Sequence, residues 1–595
     1  MAKAKKTGEE TSLVSADPAV AKPRLTKLIV KNFRCIGSGG VEIDLNDIVV
    51  LVGANNVGKS SILKAYELAM SQGSNKAKLD LNDFPNSSID ENNLPEIELH
   101  TIVYDNSPGE KWITIIDGGE RLVRERFIWK FPGEPVRQGW DAEAQDWSDN
   151  VPWGAPNVAN SRRPEPHRVD AFDSPEEQAD EIKKLLMQGI NEKVKAIQNE
   201  KPGDGEETQY QKLLREVKEL QVKVVADSQQ QIDEVSAELT ALIEKVFPDH
   251  KIEFDARAED NLDKTITLFK TSAELLMGPE GGYMSTIDRQ GSGARRTLLW
   301  TALKFIAEAG RKAKPDNTRP HLLLIDEPEI CLHPHAIREA CNVLYELPQT
   351  GNWQVMVTTH SPIFIDFSRD NTTIVRVEKN AEGHIQGTTV FRPDKVKLDP
   401  DDKANLKMLN LCDPYVAEFF FGGKTIIVEG DTEYTAFNYI KASKPEEYRD
   451  THIIRARGKA TIVSLVKILN HFGSHYSVLH DSDRPTIKNK KGEDQGNPAW
   501  GNNPNILAAI QTRPAGTNVR LLASIPNFER AYFSEEVSGD KPYNALKTMM
   551  SDAAKFAEIE TLLKALIDHA EVPPVNCFEW ADIDTLKAKV DAFPN

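Results

Sequence analysis

Short apolar runs and helical repeats alternate along most of the chain. Residues 25–33 alternate apolar and polar positions, as a strand with one buried face does. Residues 48–52 form a continuous apolar run, which is typical of a strand buried on both faces. From residue 60 to residue 70 the apolar side chains return at helical spacing. This order of strand, loop and helix predicts an α/β domain with a parallel sheet.

The same alternation returns in the last third of the chain. Four short apolar runs alternate with helical patterns and predict a second parallel sheet with covering helices; the runs are 425–428, 452–455, 476–479 and 519–523. Residues 553–570 predict a closing helix. We therefore expect two α/β domains in sequence.

A different composition separates the two patterns. From 174 to 247, apolar residues recur at helical steps among many Glu, Lys and Gln residues, and Lys-Pro-Gly-Asp-Gly at 201–205 divides the segment. We expect a helical hairpin or short bundle that offers an apolar stripe to a partner. The alternative is a helical layer packed on its own domain. Residues 140–166, rich in Trp, Pro, Asn and Gly, predict an irregular connection.

Composition restricts the setting more than the chemistry. The formal net charge of −18 is unusual for a protein that binds nucleic acid, although it does not exclude a local basic surface. The five cysteines are scattered without paired metal spacing, which favours a reducing cytoplasm. No apolar run approaches the roughly 20 residues of a membrane helix, so no membrane partner is expected. Residues 1–23 lack the hydrophobic block of a secretion signal and predict a disordered tail.

A complete phosphate-binding loop follows the apolar run at 48–52. Its sequence, Gly-Ala-Asn-Asn-Val-Gly-Lys-Ser at 53–60, lies between a predicted strand and a predicted helix, as the motif requires. Backbone N–H groups of such a loop cradle phosphate oxygens, Lys59 reaches the β- and γ-phosphates, and Ser60 ligates magnesium. The predicted ATP-binding residues of this loop are Gly53, Asn55, Asn56, Gly58, Lys59, Ser60 and Ser61.

Two acids end another apolar run, at 321–327. Asp326 suits the magnesium position of an ATPase, and Glu327 suits the group that orients or activates the attacking water. Because a phosphate-binding loop precedes them in the chain, these two acids predict ATP hydrolysis.

Two further segments resemble parts of ABC-type ATPases. Ser292 and Gly293, in the glycine-flanked sequence at 290–296, open a predicted helix and resemble the signature that binds the γ-phosphate of ATP held by an opposing head. An ordinary capped helix is the alternative. His360, 34 residues after Asp326, resembles the switch histidine. No glutamine-loop residue can be placed. The order of these motifs is that of an ABC head.

Carboxylates follow two of the predicted strands in the last third of the chain. Glu429 comes directly after one strand, with Glu433 on the first turn of the next helix, which Asp431 is expected to cap. Asp481 and Asp483 follow another strand, and strand alternation places both on one side. Since the carboxyl ends of parallel strands meet in one crevice, these acids predict a site for Mg²⁺ or Mn²⁺. Two unrelated acidic turns are the alternative.

The acidic pattern resembles a Toprim domain, which topoisomerases, DnaG-type primases and some nucleases share. An ABC head with a C-terminal Toprim domain resembles the OLD (overcoming lysogenisation defect) family, which includes the nuclease subunit of Gabija antiphage systems. The resemblance covers roughly residues 25–595, and its most telling segments are 428–433, Gly458-Lys459 and Lys541-Pro542.

The resemblance implies a role for each acid. Glu429, Glu433, Asp481 and Asp483 would ligate metal, and Lys541 would stabilise charge on the phosphate. Glu529 would be a further acidic member, with Glu536 or Asp540 as alternatives. No topoisomerase tyrosine can be singled out, and no Cys/His cluster supplies a primase zinc module. Phosphodiester hydrolysis is therefore favoured.

The fold class expected is α/β: an ABC-type ATPase head with a helical insertion, followed by a Toprim α/β domain. The expected boundaries are a disordered tail (1–23), the ATPase in two parts (24–165 and 251–400), a helical insertion for dimerisation (166–250), and the Toprim nuclease domain with C-terminal helices (401–595). The expected cofactors are ATP and Mg²⁺ or Mn²⁺.

The expected function is an ATP-regulated, Mg²⁺-dependent endonuclease that cleaves DNA in bacterial antiphage defence. One alternative is a Toprim nuclease that acts on RNA such as tRNA, with the ATPase as a sensor. Another is an ATPase scaffold that holds a partner effector. We expect a cytoplasmic homodimer or higher assembly. An operon-encoded helicase, or a reverse transcriptase with its noncoding RNA, are candidate partners.

Overall fold

The computed structural model describes residues 23–171, 173–185, 219, 276–277, 283–312 and 320–593, apart from gaps at 351–352, 368, 381–382, 393–394, 397, 472, 490 and 534–538. The predicted N-terminal tail and most of the predicted helical insertion lie outside the described residues. The chain divides into two compact units: Met1–Asp173 together with Asn317–Asn595, and Ser174–Asp316.

Strands and helices alternate through both units. In chain order the strands are β1 (Arg24–Lys31), β2 (Val41–Asp44), β3 (Ile48–Val52), β4 (Glu96–Val103), β5 (Thr114–Ile115), β6 (Arg121–Ile128), β7 (Val136–Asp141), β8 (Asp146–Ser148), β9 (Glu165–Val169), β10 (Leu276–Met277), β11 (Ser285–Thr286), β12 (His321–Asp326), β13 (Trp353–Thr358), β14 (Thr372–Lys379), β15 (Ile385–Phe391), β16 (Lys424–Val428), β17 (Thr451–Arg455), β18 (Tyr476–Asp481), β19 (Thr486–Lys488), β20 (Asp494–Gly496), β21 (Val519–Ser524) and β22 (Cys577–Glu579). The α-helices are α1 (Lys59–Met70), α2 (Pro156–Arg162), α3 (Ser292–Lys312), α4 (Pro334–Glu346), α5 (Pro400–Cys412), α6 (Asp431–Ser443), α7 (Lys459–His471), α8 (Asn503–Gln511), α9 (Phe528–Tyr532), α10 (Lys541–Ser551), α11 (Ala553–Ile567) and α12 (Ile583–Asp591). Among the described residues, no helix has both the length and the apolar character needed to cross a membrane.

The ATPase part contains a mixed sheet of order β15-β14-β3-β13-β12-β9. Strand β3 is buried at all five positions and pairs in parallel with β13 and β14, which confirms the predicted central strand. Strand β12 pairs in parallel with β13 and with β9. The carboxyl ends of β3, β12 and β13 therefore lie side by side, and the loops that leave them meet at one edge.

An antiparallel sheet of order β2-β1-β4-β6-β7-β8 shares a hydrophobic core with α1 and the mixed sheet. The expectation of an irregular connection over 140–166 was wrong in part, because this range contains β8, α2 and the first residues of β9. Trp140 and Trp147 stack edge to face at 5.4 Å, and Arg124 lies over the Trp140 ring at 4.4 Å. The tryptophans thus belong to strand packing and not to a loop.

Aromatic rings fill the amino-terminal end of the mixed sheet. His321 lies 4.7 Å from Trp353 and 5.4 Å from His167 between ring centroids. Both histidines are buried, and one ligand atom each from Glu165, His167 and His321 lies within 4.8 Å of the others. This cluster is at the opposite ends of β9, β12 and β13 from the loops that carry the ATPase motifs.

The other unit contains helical residues 175–185, the short β10–β11 hairpin and α3. Arg295 on the first turn of α3 donates to the Gln178 side chain at 3.1 Å and also bonds to the backbone oxygen of Gln290. The helix predicted to open at the 290–296 sequence is therefore confirmed, and its first residue is Ser292.

The C-terminal part is built on a five-stranded sheet of order β17-β16-β18-β21-β22. Strands β17, β16, β18 and β21 are parallel, and β22 is antiparallel to β21. Helices α6 and α11 pack on this sheet and share its core. All four predicted strands and the closing helix are confirmed, which places the ends of β16 and β18 next to each other.

Helix α5 and the aromatic segment after it join the two α/β parts. Asp402 and Asp399 form a capping box at the start of α5. Asp402 is buried and accepts a hydrogen bond from Ser464 of α7 at 2.8 Å. Phe420 packs against Phe367 of the ATPase part at 5.7 Å between ring centroids. The linker therefore contacts both the ATPase part and the C-terminal sheet.

Candidate nucleotide and metal sites

The glycine loop connects the end of β3 to α1 in a conformation that depends on its glycines. Gly53 has φ +142, and a Cβ there would lie 2.1 Å from the backbone oxygen of Val377. Gly58 has φ +91 and Asn56 has φ 61, both in the left-handed region, which glycine and asparagine tolerate best. Asn55 and Asn56 are exposed. The loop therefore turns sharply while its asparagine side chains face solvent.

Lys59 lies at the centre of this loop. Its ammonium donates to the backbone oxygens of Gly53 at 3.0 Å and Ala54 at 2.8 Å, and it lies 3.0 Å from Nε2 of His360. Burial lowers the pKa of Lys59, while the nearby carboxylates of residues 326, 327 and 329 act in the opposite direction. The ammonium is thus held among backbone oxygens and acids, at the position where phosphate charge would be received.

The side chains of Ser60 and Asp326 are hydrogen-bonded at the edge where the carboxyl ends of β3 and β12 lie. The Ser60 hydroxyl lies 2.8 Å from one Asp326 carboxylate oxygen and 3.0 Å from the other. The Thr358 hydroxyl donates to the same carboxylate at 2.5 Å. A hydroxyl and a carboxylate, both hard oxygen donors, fit the magnesium ion that accompanies ATP.

Glu327 and His360 face each other beside Lys59. Glu327 Oε1 lies 3.5 Å from His360 Nε2, and the Glu327 backbone has φ 47. The Glu327 amide donates to the Thr358 hydroxyl at 3.0 Å, which fixes this turn to β13. The structure therefore brings Lys59, Ser60, Asp326, Glu327 and His360 to one place, although they come from three separate segments.

Sequence reasoning missed Glu329, which holds the histidine segment. Its Oε1 accepts a hydrogen bond from the backbone amide of His360 at 2.6 Å, and the Thr359 hydroxyl donates to the same carboxylate at 3.0 Å. Burial raises the pKa of Glu329, and nearby Glu327 adds to the effect. The only available signal was its position two residues after Glu327, inside an acidic turn.

Three predicted nucleotide-binding residues have other surroundings. Ser61 is buried, and its hydroxyl lies 3.6 Å from the Cys35 thiol. Ser292 and Gly293 begin α3 in the other compact unit, where the Gly293 carbonyl accepts from the Thr297 hydroxyl at 2.8 Å. The first N–H groups of an α-helix have no partner within the helix, so this start remains suited to an anion.

The carboxylates of the last third come from four elements of the C-terminal part. Glu429 follows β16, and Asp481 is the last residue of β18. Glu433 lies on the first turn of α6, and Glu529 lies on α9. Because β16 and β18 are parallel neighbours, their ends bring Glu429 and Asp481 together, and the Asp481 amide donates to Glu429 at 3.1 Å.

Hydrogen bonds fix the direction of these side chains. The backbone amide of Phe528 donates to Asp481 Oδ1 at 2.8 Å. The Thr432 hydroxyl donates to Glu529 Oε1 at 2.9 Å, and Lys541 lies 3.5 Å from the other oxygen of Glu529. Lys541 is 46% exposed, whereas Glu529 is buried. The lysine therefore borders the acids from the solvent side.

The acids raise one another's pKa. Burial raises the pKa of Glu433 to about 8, and neighbouring Glu429 and Glu529 contribute to the increase. Burial, followed by the charges of Glu433 and Glu429, holds the pKa of Asp481 well above its usual range. Burial also raises the pKa of Glu429. Buried carboxylates that penalise one another's ionisation fit a divalent cation, which would offset their charge.

Two local predictions were wrong. Asp431 does not cap α6: the N-cap is Gly430, no side chain caps the helix, and Asp431 instead pairs with Arg455 at 2.6 Å. Strand geometry does not continue to Asp483, because β18 ends at Asp481 and Asp483 has φ 58. Aspartate tolerates the left-handed conformation, so simple alternation does not describe this turn.

Asp483 pairs with a lysine that had no predicted role. Lys459, the first residue of α7, lies 2.5 Å from Asp483 Oδ2. Of the two alternatives to Glu529, Asp540 is the N-cap of α10 and Glu536 lies outside the described residues.

Comparison with known proteins identifies an ATPase domain in the first part of the chain and a Toprim domain after it. A family model of the AAA ATPase domain matches residues 24–201 and 168–365, together more than half of the chain. A model of the overcoming lysogenization defect protein-like TOPRIM domain matches residues 420–483. The second match covers both Glu429 and Asp483.

Three curated relatives resemble the chain. The Old nuclease of Escherichia phage P2 is 24% identical over 77% of this chain and 77% of its own length. The OLD nuclease of Thermus scotoductus is 23% identical over 87% of this chain and 93% of its own length. Endonuclease GajA of Bacillus cereus is 23% identical over 34% of this chain and 32% of its own length.

The ATPase motifs thus lie in the segments that the first family model matches, and Glu429, Glu433, Asp481 and Asp483 lie in the segment that the second model matches, whereas Glu529 lies beyond it. The chain carries a Toprim domain like that of overcoming lysogenization defect proteins, so it combines an endonuclease with an ATPase. It belongs to the AAA ATPase domain family.

Proposed function

We propose that this protein is an ATP-regulated, Mg²⁺-dependent endonuclease that cleaves DNA phosphodiesters in the cytoplasm. The observation that supports this most is the group of carboxylates around the ends of β16 and β18, bordered by Lys541, in which Glu433 and Glu529 are buried. If these acids served only the stability of the fold, their proximity would be unfavourable, because they raise one another's pKa. A cation-binding role explains why they are together.

Each group would have a distinct task in hydrolysis. Glu429, Glu433, Asp481, Asp483 and Glu529 would hold divalent ions. Two such ions, when bound, would supply a more acidic water and positive charge beside the leaving oxygen of a phosphodiester. Water adds to phosphorus, the bond to the leaving oxygen breaks, and that oxygen takes a proton. Lys541, partly exposed beside Glu529, is suited to offset charge on the phosphate.

DNA is the proposed substrate because the Toprim domain is shared by topoisomerases and DnaG-type primases, which work on DNA. An antiphage role is proposed because the chain resembles the OLD family, which includes the nuclease subunit of Gabija antiphage systems, and because Endonuclease GajA is among the relatives. ATP is a regulator in this proposal, since hydrolysis of a phosphodiester does not consume it.

A homodimer or higher assembly is part of the proposal. In ABC-type ATPases the signature segment binds the γ-phosphate of ATP held by another head, and Ser292 starts α3 as such a segment would. Light scattering of the full chain at micromolar concentration, with and without ATP, tests this. A monomer under both conditions would remove assembly from the proposal.

Cleavage assays test the nuclease assignment. Purified protein is incubated with plasmid DNA, single-stranded DNA and tRNA, with and without Mg²⁺. We expect Mg²⁺-dependent cuts in DNA, which are lost in Glu429→Ala and Asp481→Ala while ATP binding persists. Glu446→Ala is the matched control, since Glu446 is exposed on the same domain. Cleavage of tRNA alone would change the substrate class, and full activity in either site variant would overturn the site.

A further inference from the structure

Lys459 begins α7 at a turn that is bonded to the end of β16. Arg457 has φ 60 and Gly458 has φ +126, so the chain reverses sharply before the helix starts. The amide of Gly458 donates to the backbone oxygen of Glu429 at 3.1 Å. The position of Lys459 is therefore set by the same strand end that carries a predicted metal ligand.

The ammonium of Lys459 is buried against carboxylates. Its side chain is 2% exposed, and its ion pair with Asp483 has a distance of 2.5 Å. Its other polar contact is the backbone oxygen of Ala499 at 3.4 Å. Burying a lysine at the N-terminus of a helix is unfavourable both for solvation and for the helix dipole. The pair with Asp483 is the contact that offsets these costs.

Asp483 depends on a partner for its direction. Its left-handed backbone follows the end of β18, and its amide donates to the Pro526 oxygen at 2.8 Å. The charge of Asp483 contributes to raising the pKa of Glu429 and Asp481, while the charge of Lys459 acts on the pKa of Glu429 in the opposite direction. A strong ion pair on one oxygen leaves the other oxygen of Asp483 available.

Lys459 and Lys541 differ in the role their surroundings permit. Lys541 is 46% exposed and can meet a phosphate from solvent. Lys459, almost fully buried, cannot reach a bound nucleic acid without leaving Asp483. Lys541 is therefore placed to contact the substrate, whereas Lys459 is placed to contact an acid.

We propose that Lys459 is a positioning residue of the nuclease site, whose ion pair with Asp483 fixes that carboxylate for metal binding. The inference rests on the proposed function in so far as Asp483 is a metal ligand. Removing the ammonium leaves Asp483 without its partner, so the carboxylate is no longer held next to Glu429 and Asp481. Groups that orient a ligand in this way typically change metal affinity by about 10- to 100-fold.

Mn²⁺ binding to the nucleotide-free full chain, followed by electron paramagnetic resonance, tests the proposal directly. Lys459→Met is expected to weaken Mn²⁺ binding by about 10-fold or more, and Lys459→Arg to restore most of the affinity. In an Asp483→Asn background, Lys459→Met is expected to have little further effect, because Lys459 acts through that carboxylate. If Lys459→Met does not fold, Lys459→Ala, which also removes the contact to Asp483, is measured in its place with the same expected loss of Mn²⁺ affinity.

Unchanged or tighter Mn²⁺ binding in Lys459→Met would overturn the proposal, as would effects of the two substitutions that simply add. A wild-type protein that binds Mn²⁺ but cuts no nucleic acid would overturn the proposed function and leave the role of Lys459 standing. Normal cleavage by the wild type, together with unchanged Mn²⁺ binding in Lys459→Met, would overturn the role of Lys459 and leave the proposed function standing.

Discussion

The ammonium of Lys59 lies 3.0 Å from Nε2 of His360, although the two residues are 301 positions apart. A lysine ammonium can only donate, so this nitrogen of His360 is unprotonated and accepts the bond. Burial and the charge of Lys59 both lower the pKa of His360 from its usual value of 6.5. His360 is therefore a neutral group in contact with the lysine that is predicted to bind phosphate.

Replacing His360 should slow ATP hydrolysis more than it weakens ATP binding. His360 contacts Glu327 as well as Lys59, so His360→Ala loses the group between the lysine and the acid that is predicted to orient water. We expect phosphate release to fall by about 10-fold or more, with nucleotide affinity changed only a few-fold. His384→Ala, at an exposed turn, is the control. Equal rates in both variants would contradict this role.

The same contact predicts a pH dependence. Since the pKa of His360 is lowered from 6.5, the ring gains a proton only in more acidic solution, where it would place a second cation beside Lys59. The ATPase rate should change little from about pH 8 to about pH 7 and fall below that range. The rate profile of His360→Ala should lack the part of the decline that comes from this group. An acid decline of equal size in both proteins would contradict the assignment.

Glu329 should matter to ATP hydrolysis through the segment it holds. Glu329→Ala removes the acceptor of the His360 amide and of the Thr359 hydroxyl, whereas Glu329→Gln keeps an oxygen that can accept. We expect Glu329→Ala to lower kcat by about 10-fold with a smaller change in KM, and Glu329→Gln to recover much of the loss. The exposed Glu91→Ala is the control. A change confined to KM would show that Glu329 serves ATP binding instead.

The sequence predicted those parts of the fold that are encoded by neighbouring residues. Strand β3, the glycine loop and α1 follow one another, and their apolar periods and glycines are local signals. The parallel strands of the Toprim sheet were found for the same reason. Strand β9 was missed because its place depends on pairing with β12, which begins more than 150 residues later. Its Pro and His residues gave no clear strand pattern.

The parts of the site that the sequence did not predict depend on contacts between distant residues. The Thr358 hydroxyl donates to Asp326, the His360 amide donates to Glu329, and Lys459 pairs with Asp483. No spacing along the chain indicates these pairs. The sequence identified Asp483 but not its left-handed backbone conformation. Sequence alone cannot distinguish a left-handed aspartate from an extended one.

Gly53 should not tolerate a side chain. A Cβ at this position would lie 2.1 Å from the backbone oxygen of Val377, which is part of β14 and cannot move without disturbing the sheet. Gly53→Ala is expected to lose ATP binding and to lower the free energy of unfolding by about 1–3 kcal/mol. Gly39→Ala is the matched control, since nothing lies within 4 Å of a Cβ there. Thermal unfolding and nucleotide binding that match the control would contradict this account.

The linker, formed by α5 and the aromatic segment before β16, contacts both the ATPase part and α7. Phe420 packs on Phe367 and Phe391 of the ATPase part, immediately before β16. Asp402 of α5 bonds to Ser464 and to Lys467 of α7, the helix that begins with Lys459. We therefore expect a movement of the ATPase part that shifts α5 to shift α7 as well, the helix whose first residue pairs with Asp483.

ATP should restrain the nuclease through this linker, with nucleotide loss releasing it. Lys59→Ala loses phosphate binding, so it should cut DNA at millimolar ATP, where the wild type does not. Glu327→Gln should bind ATP but hydrolyse it slowly, so it should stay inhibited for longer than the wild type. Time courses of plasmid cleavage with a fixed amount of ATP measure both effects, with Glu429→Ala as the uncut control. A folded Lys59→Ala that is inactive with and without ATP would instead show that ATP activates cleavage.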